Sequence, residues 1–331
     1  MNQDQYDFVA IGDTATDAFI RIKDAALHCN INHEQCEICF RFGDKVPYED
    51  VIAVPAVGNS ANAAVAATRL GLKSALVSNL GGDYFGKECL DALAKEKVTT
   101  DFIKIHQDQK TNYHYVLWYE DDRTILIKHE EYPYSLPDIG VPRWVYFSSL
   151  GGNSEEFHAI VTQYLYNHPE IKLAFQPGTF QMKMGRKTLA KTYERTEVFI
   201  CNKEESQRIL ETNETDIKTL LKMMRDVGPR IAVITDGVKG AYADDGGAAY
   251  FMPPYPDPKP PFERTGAGDA FSSTFVAGMA LGLSVTEALS WAPINSMSVV
   301  QYIGAREGLL RREQLKNYLN QAPENYRPSK I

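Results

Sequence analysis

Short apolar runs rich in β-formers alternate with longer stretches of helical period along most of this chain. That alternation limits the fold more than any other feature. The runs are "DFVAIG" (7–12), "SALVSNLG" (74–81), "RWVYFSS" (143–149), "IKLAFQP" (171–177), "EVFICN" (197–202) and "IAVITDG" (231–237). Helical spacing fills the gaps near 60–70, 85–95, 155–167, 204–211 and 214–226. Strands that alternate with helices argue for a mostly parallel sheet covered on both faces. The expected class is therefore α/β, a doubly wound, mostly parallel sheet with helices on both faces. Ligands of such sheets bind beyond the carboxyl ends of the strands.

Two segments break the alternation, about 18–54 and 111–131. The second, "TNYHYVLWYEDDRTILIKHEE", carries an aromatic, alternating strand pattern with a turn at Glu120–Arg123. Both segments read as antiparallel ribbons packed together, a small β-sheet lid that could cover a pocket. An edge extension of the main sheet is the alternative. The chain is thus expected to be a single domain, 1–331, with the lid segments inserted in it. A stiff loop, "PPYPDPKPP" (253–261), holds six prolines in nine residues.

Composition narrows the function classes. Of 331 residues 44% are hydrophobic and 24% charged, an ordinary globular balance rather than a disordered or fibrous one. A net charge of −8 without a long basic run disfavours nucleic acid and membrane surfaces as partners. The opening "MNQDQYDFVAIGDTATD" has no basic stretch followed by an apolar one, so no signal peptide is expected. No apolar run approaches the roughly 18–20 residues of a membrane span. Five cysteines, an odd and small number, suit a reducing cytoplasm.

The densest chemistry lies in "FERTGAGDAFSSTF" (262–275). Gly266, Ala267 and Gly268 have almost no side chains, so a ligand can approach the backbone there. Phe271, Phe275 and Met279 then recur at helical spacing, and Gly282 is a natural stop. Small residues that open a helix leave N–H groups free at its positive end, which makes an anion site. Those N–H groups could hold a transferring phosphoryl group while Asp269 accepts the proton of an attacking hydroxyl. A tight loop whose Asp caps the helix would satisfy the same letters. No G-x-x-x-x-G-K-[ST] occurs, and the first strand ends in "GDTATD" without a G-x-G-x-x-G, which counts against a nicotinamide enzyme.

"TGAGDAF" resembles the core of the C-terminal signature of the ribokinase-like (PfkB) carbohydrate kinases, usually Asp-Thr-x-Gly-Ala-Gly-Asp-x-Phe. Four further segments agree in order. "VGNSANAAVAATRLG" (57–71) resembles the family's Gly-Gly-x-x-x-Asn, and "LGGDYFG" (80–86) its Gly-x-Asp-x-x-Gly. "NKEE" (202–205) resembles its Asn-x-x-Glu, and "TDGVKGA" (235–241) its Thr-x-Gly-x-x-Gly-Ala. The resemblance implies a ribokinase-like fold with a β-sheet lid over the sugar site. It also implies an ATP- and Mg²⁺-dependent kinase that phosphorylates a primary hydroxyl of a sugar. A nucleoside is the alternative acceptor, and a nucleotide-binding protein that has lost turnover is the reading from another class.

Carried over residue by residue, the resemblance makes Asp269 the general base and Gly266, Ala267 and Gly268 the anion hole. Thr235, Gly237 and Gly240 would line the ATP site, with Arg264 beside the phosphates and Asn295 near the adenine. Asn202 and Glu205 would hold Mg²⁺ through water, although "NKEE" also reads as a helix start with a capping Asn. Asp17, with Asp13 as its rival, would bind sugar hydroxyls, because a carboxylate accepts two hydrogen bonds at fixed geometry. Asn59 and Asn62 would add polar contacts and Gly58 would allow close approach; Asn59 could instead cap a helix.

Several residues depart from the family pattern. Glu263 stands for the first signature Asp and Arg264 for the Thr, which could change cation requirements, leaving room for a monovalent cation, or add a phosphate clamp. Val57 replaces the first Gly of the substrate pair and narrows one wall, and Gln176 stands where an acid is common. In "LHCNINHEQCEIC" (27–39), His28, Cys29, His33, Cys36 and Cys39 could include zinc ligands, since Cys36-x-x-Cys39 has ligand spacing. There is no second Cys-x-x-Cys, and packing in a lid is the plainer role. Tyr113, Tyr115, Trp118 and Tyr119 could stack a nucleobase or sugar face, or serve as core or a dimer contact. An exposed lid ribbon could pair across a two-fold axis into a homodimer.

Overall fold

The first apolar run becomes β1 (Phe8–Ile11), with all four side chains buried. Phe8 and Ala10 enter one core cluster, Val9 and Ile11 another, because successive side chains of a strand point to opposite faces. A strand buried on both faces has to lie inside a sheet that is covered on each side. The structure, a computed structural model, describes residues 5–23, 25–29, 36–119 and 122–331.

From β1 the chain runs into β2 (Ala15–Ile22), the short pair β3 (Ala26–Cys29) and β4 (Cys36–Cys39), and the long β5 (Tyr48–Val57). Next come α1 (Asn59–Arg69), β6 (Ser74–Gly81), α2 (Tyr84–Lys95), β7 (Ile103–His106), β8 (Asn112–Tyr119) and β9 (Asp122–Leu126). Regular alternation follows: β10 (Trp144–Phe147), α3 (Glu155–Asn167), β11 (Lys172–Phe175), α4 (Thr179–Thr188), α5 (Ala190–Arg195) and β12 (Thr196–Asn202). It continues through α6 (Lys203–Leu210), α7 (Ile217–Asp226) and β13 (Ile231–Thr235). The hairpin β14 (Ala241–Asp244) and β15 (Ala249–Met252) precedes α8 (Ala267–Ala280), α9 (Val285–Val299), α10 (Arg312–Asn320) and β16 (Ser329–Lys330).

Among the described residues, ten strands form the main sheet in the order β16-β15-β14-β13-β12-β11-β10-β1-β6-β7. From β13 to β7 all pairings are parallel, and β14 to β16 extend one edge antiparallel. One face packs on α1, α2, α8 and α9, the other on α3, α5, α6 and α7. The doubly wound α/β class expected from the alternation is the observed one. Two helices in 179–195 escaped the periodicity because Gly185, at φ 81°, interrupts the turn pattern. The pattern also hid α9, which carries Pro293 and is buried nearly all round, so no polar face marks its period.

The second layer is a separate four-stranded sheet, β5-β2-β8-β9, not an extension of the main one. β2 with β5 and β8 with β9 are antiparallel, as expected of ribbons. The two ribbons join through a parallel pairing of β2 and β8, from Ala15↔Asn112 to Arg21↔Trp118, which the alternating pattern could not specify. Strands β2 and β5 also run beyond the anticipated bounds, to Ala15 and Val57, where both are buried against the main body. β3 and β4 pair as a small antiparallel ribbon.

Glu120 of the expected turn and His33 lie outside the described residues, as do the side chains of Cys29 and Cys36. Among the described residues, no group of three or more His, Cys, Asp or Glu is placed to hold a metal ion, and His28 is exposed. Among the described residues, too, no helix is long and apolar enough to cross a membrane.

Helix α8 is anchored from below by Phe275, which is fully buried, its ring centroid 6.5 Å from that of Phe271. Phe275→Ala is expected to lower the unfolding free energy by about 3–5 kcal/mol in urea denaturation. A loss below about 1 kcal/mol would show that this side chain does not anchor the helix.

Candidate active site

The carboxyl ends of five parallel strands open on one edge of the main sheet and face the start of α8. Asp13 follows β1, Ser149 follows β10, Gln176 follows β11, Glu205 follows β12 and Gly237 follows β13. At the start of α8, Gly266 adopts φ 81°. A Cβ on Gly266 would fall 2.2 Å from the Ala305 methyl and 2.5 Å from its Cα, so only glycine fits this turn. Among the described residues no side chain caps the helix, which leaves its first N–H groups open.

Two cavities of about 300 Å³ each meet at that turn. One is lined by Thr235, Gly237, Gly240, Arg264, Ala267 and Gly268. The other is lined by Asp13, Asp17, Gly58, Asn59, Asn62, Glu205, Thr265 and Asp269. Residues far apart in sequence are thereby brought to two sides of one helix start.

Asp269 does not cap its helix. Its carboxylate instead accepts hydrogen bonds from Asn59 Nδ2 (3.0 Å), Asn62 Nδ2 (2.9 Å) and Gln176 Nε2 (3.3 Å). Tyr146 Oη donates to Gln176 Oε1 and so turns the amide nitrogen towards Asp269. Burial raises the Asp269 pKa, with Asp17's charge adding to the rise, while the Asn62 and Gln176 bonds work against it. Asn59 therefore spends its amide on Asp269, and α1 begins without a side-chain cap. Gly58, at φ 119°, is needed because a Cβ there would lie 2.6 Å from the Asp13 carbonyl oxygen; the close approach is to the exit of β1.

One wall of the cavity beside Asp269 is built by the small sheet. β2 presents Asp17 beside His114 of β8, and His114 Nδ1 donates to Asp17 Oδ1 at 3.2 Å. Asp13 accepts from His129 Nδ1 (3.2 Å) and from Tyr134 Oη (2.8 Å). Burial pushes the Tyr134 phenol up, so it stays a donor. Two polar atoms in this wall, Asn62 Oδ1 and His114 Nε2, are buried without a hydrogen-bond partner among the described residues. No Phe, Tyr or Trp among the described residues lines this cavity. Tyr113 packs with Phe85 and Tyr115, and Trp118 packs against Phe262.

Asn202 and Glu205 form a reciprocal capping box: Asn202 Oδ1 accepts the Glu205 N–H (2.7 Å), and Glu205 Oε2 accepts the Asn202 N–H (2.9 Å). Only Glu205 of the two reaches the cavity. Burial raises its pKa, and the Asp269 charge raises it further. Asn295 does not line the cavity that holds Thr235 and Gly237. It is fully buried, donates to Thr274 Oγ1 (2.7 Å) and accepts from the Leu310 N–H (2.8 Å). Pro293, Ser296 and Met297 of the same helix line the cavity in its place.

His114, His129 and the Gln176 contact were not read from the sequence. His114 shares a strand face with Asn112, a period-2 signal that was present, whereas His129 lies outside any strand or motif.

The profile of the pfkB family carbohydrate kinases matches residues 27–312. The chain belongs to this family. It is similar to a ribokinase of Bacillus subtilis, 25% identical over 80% of this chain and 87% of that protein. It is also similar to a nucleoside kinase of Methanothermobacter thermautotrophicus, 24% identical over 76% of this chain and 80% of that one. The solved ribokinase of Arabidopsis thaliana, complexed with ribose and ATP, shares the fold with a TM-score of 0.79. It is 19% identical over 95% of this chain and 99% of that one. Membership in the PfkB kinases makes the chain a phosphotransferase with a hydroxyl acceptor.

For this PfkB kinase, Gly266→Ala is expected to cost roughly a hundredfold in turnover and about 1–3 kcal/mol in stability. Equal turnover in an ADP-release assay would mean that the shape of this turn does not matter to transfer.

Proposed function

We propose that the protein moves the γ-phosphate of ATP onto a primary hydroxyl of a small sugar, with Asp269 as general base. One observation carries the choice of acceptor: the cavity beside Asp269 holds two buried polar atoms, Asn62 Oδ1 and His114 Nε2, that have no hydrogen-bond partner among the described residues. Buried polar atoms call for hydrogen-bond partners, and a polyol brings several hydroxyls that each donate and accept. A nucleoside fits less well, since among the described residues the wall offers its base no Phe, Tyr or Trp to stack on. Ribokinases and nucleoside kinases both occur among the relatives, so their names do not decide between the two.

In this mechanism Asp13 and Asp17 hold sugar hydroxyls and place the reacting one against Asp269. The Asp269 carboxylate takes the hydroxyl proton while the oxygen's electron pair forms the new bond to phosphorus, and ADP leaves with the electrons of the broken bond. The N–H groups at Gly266, Ala267 and Gly268 receive the charge that builds on the transferred phosphoryl oxygens. ATP lies along Thr235, Gly237, Gly240 and Arg264 in the neighbouring cavity. Glu205, whose second oxygen is free of the capping box, suits Mg²⁺ held through water; Asn202 contributes by fixing Glu205. When bound, Mg²⁺ supplies countercharge to the phosphates. The small sheet acts as a lid that keeps out water, which would otherwise compete as acceptor.

We also propose that the outer face of the small sheet pairs two copies. Val51, Tyr115 and Leu126 lie exposed there, on strands otherwise packed from the inner side.

Asp269→Asn is expected to cut turnover by about 10²–10⁴-fold with a panel of pentoses, hexoses and nucleosides. Full activity in the variant would remove Asp269 from the chemistry. Because burial raises its pKa, Asp269 takes up its proton, and activity is lost, at a higher pH than for an ordinary aspartate of roughly 4. Asn62→Ala removes a donor that favours the charged form, so the acid limb of kcat/KM should move to still higher pH. For the pairing face, sedimentation should show a dimer that Leu126→Glu dissociates, and a wild-type monomer at micromolar concentration would reject the pairing.

A further inference from the structure

Glu263 is fully buried, three residues before the turn that opens α8. Its Oε1 accepts the Thr265 N–H at 2.7 Å and its Oε2 the Gly304 N–H at 3.4 Å. One carboxylate thus ties the approach to α8 to the loop that carries Ala305, the residue against which Gly266 packs. A carboxylate taken out of water needs a countercharge. Arg123 brings one from β9, the edge strand of the small sheet, with its Nε 3.7 Å from Glu263 Oε1.

The contact belongs to a wider grip of the small sheet on the same two segments. Trp118, paired across the strands with Arg123, stands edge-on to Phe262 with ring centroids 5.1 Å apart. Val54 and Phe19 close over Gly304, where an added Cβ would lie 3.3 Å from Val54. Arg306 donates to the Pro55 carbonyl. The sheet therefore touches both of the pieces that Glu263 binds together.

Resting on the phosphotransfer reading above, we infer that Arg123 is a positioning residue that couples seating of the small sheet to the shape of the phosphoryl-holding turn. With the sheet seated, Arg123 balances the Glu263 charge, and the carboxylate holds Thr265 and Gly304 in register so that Gly266 keeps its place against Ala305. With the sheet lifted, Glu263 loses this cation, and segment 262–269 is less firmly held. Transfer is then competent only when the acceptor site is covered, which limits loss of the phosphoryl group to water.

The test compares wild type with Arg123→Met, which keeps the side chain's length and removes its charge. Arg123 is part-exposed on an edge strand, and an unchanged melting temperature would establish that the variant folds. Hydrogen exchange of segments 262–269 and 300–306 is expected to quicken in Arg123→Met, and kcat to fall by about tenfold to a hundredfold with little change in the KM for the acceptor. Arg123→Lys should retain part of the activity, and millimolar guanidinium should restore part of that of Arg123→Gly, which a merely structural loss would not allow. Unchanged exchange in Arg123→Met would overturn the inference, as would full kcat. If wild type phosphorylates no acceptor, the phosphotransfer reading fails, and the exchange comparison by itself still decides whether Arg123 positions the turn.

Discussion

Three amides aimed at one carboxylate hold the centre of this molecule together. Asn59 and Asn62 come from α1, Gln176 from the end of β11, and Asp269 from the first turn of α8. A carboxylate in this partly dry position is costly when charged, and each amide donor offsets part of that cost. The same bonds fix the relative placement of two helices and a strand end, so the electrostatics of the site and the packing of the fold share their contacts. Tyr146 extends the set one step further by orienting Gln176 from within the main sheet.

Around that centre, acids are brought closer together than their charges would favour. Asp13, Asp17, Glu205 and Asp269 line one cavity; the Asp17 charge adds to burial in raising Asp269, and the Asp269 charge adds to burial in raising Glu205. The neighbourhood is made tolerable by donors on each acid: His129 and Tyr134 on Asp13, His114 on Asp17, and the Asn202 N–H on Glu205. The donors to Asp13 and Asp17 come from the small sheet and the segment after it, so much of the site's charge balance depends on that layer being in place.

Much of the fold was legible because strand and helix periods are local properties. The six apolar runs became β1, β6, β10, β11, β12 and β13, and "FERTGAGDAFSSTF" opened a helix that ends before Gly282. The parts that escaped lacked a local signature. Helix α9 is apolar nearly all round and α4 is broken by a glycine. The parallel joint of β2 to β8 links segments nearly a hundred residues apart. At the site, motif letters named Asp269 and its neighbours, whereas Asn295 carried the right letter but turned its amide into the core towards Thr274 and Leu310. His129 had no motif to carry it, since its partner Asp13 lies over a hundred residues away.

Sequence alone determined the fold class, the family motifs and the small-residue start of α8, because each depends on residues within a turn or two of one another. Tertiary structure decided what those residues face. It aimed the Asn59 amide at Asp269, left Asn62 Oδ1 and His114 Nε2 without a partner among the described residues of the cavity wall, and set Arg123 against Glu263. The physical reason is that hydrogen bonds and ion pairs reach only a few ångströms. Which groups come within that reach is settled by how the sheets and helices pack.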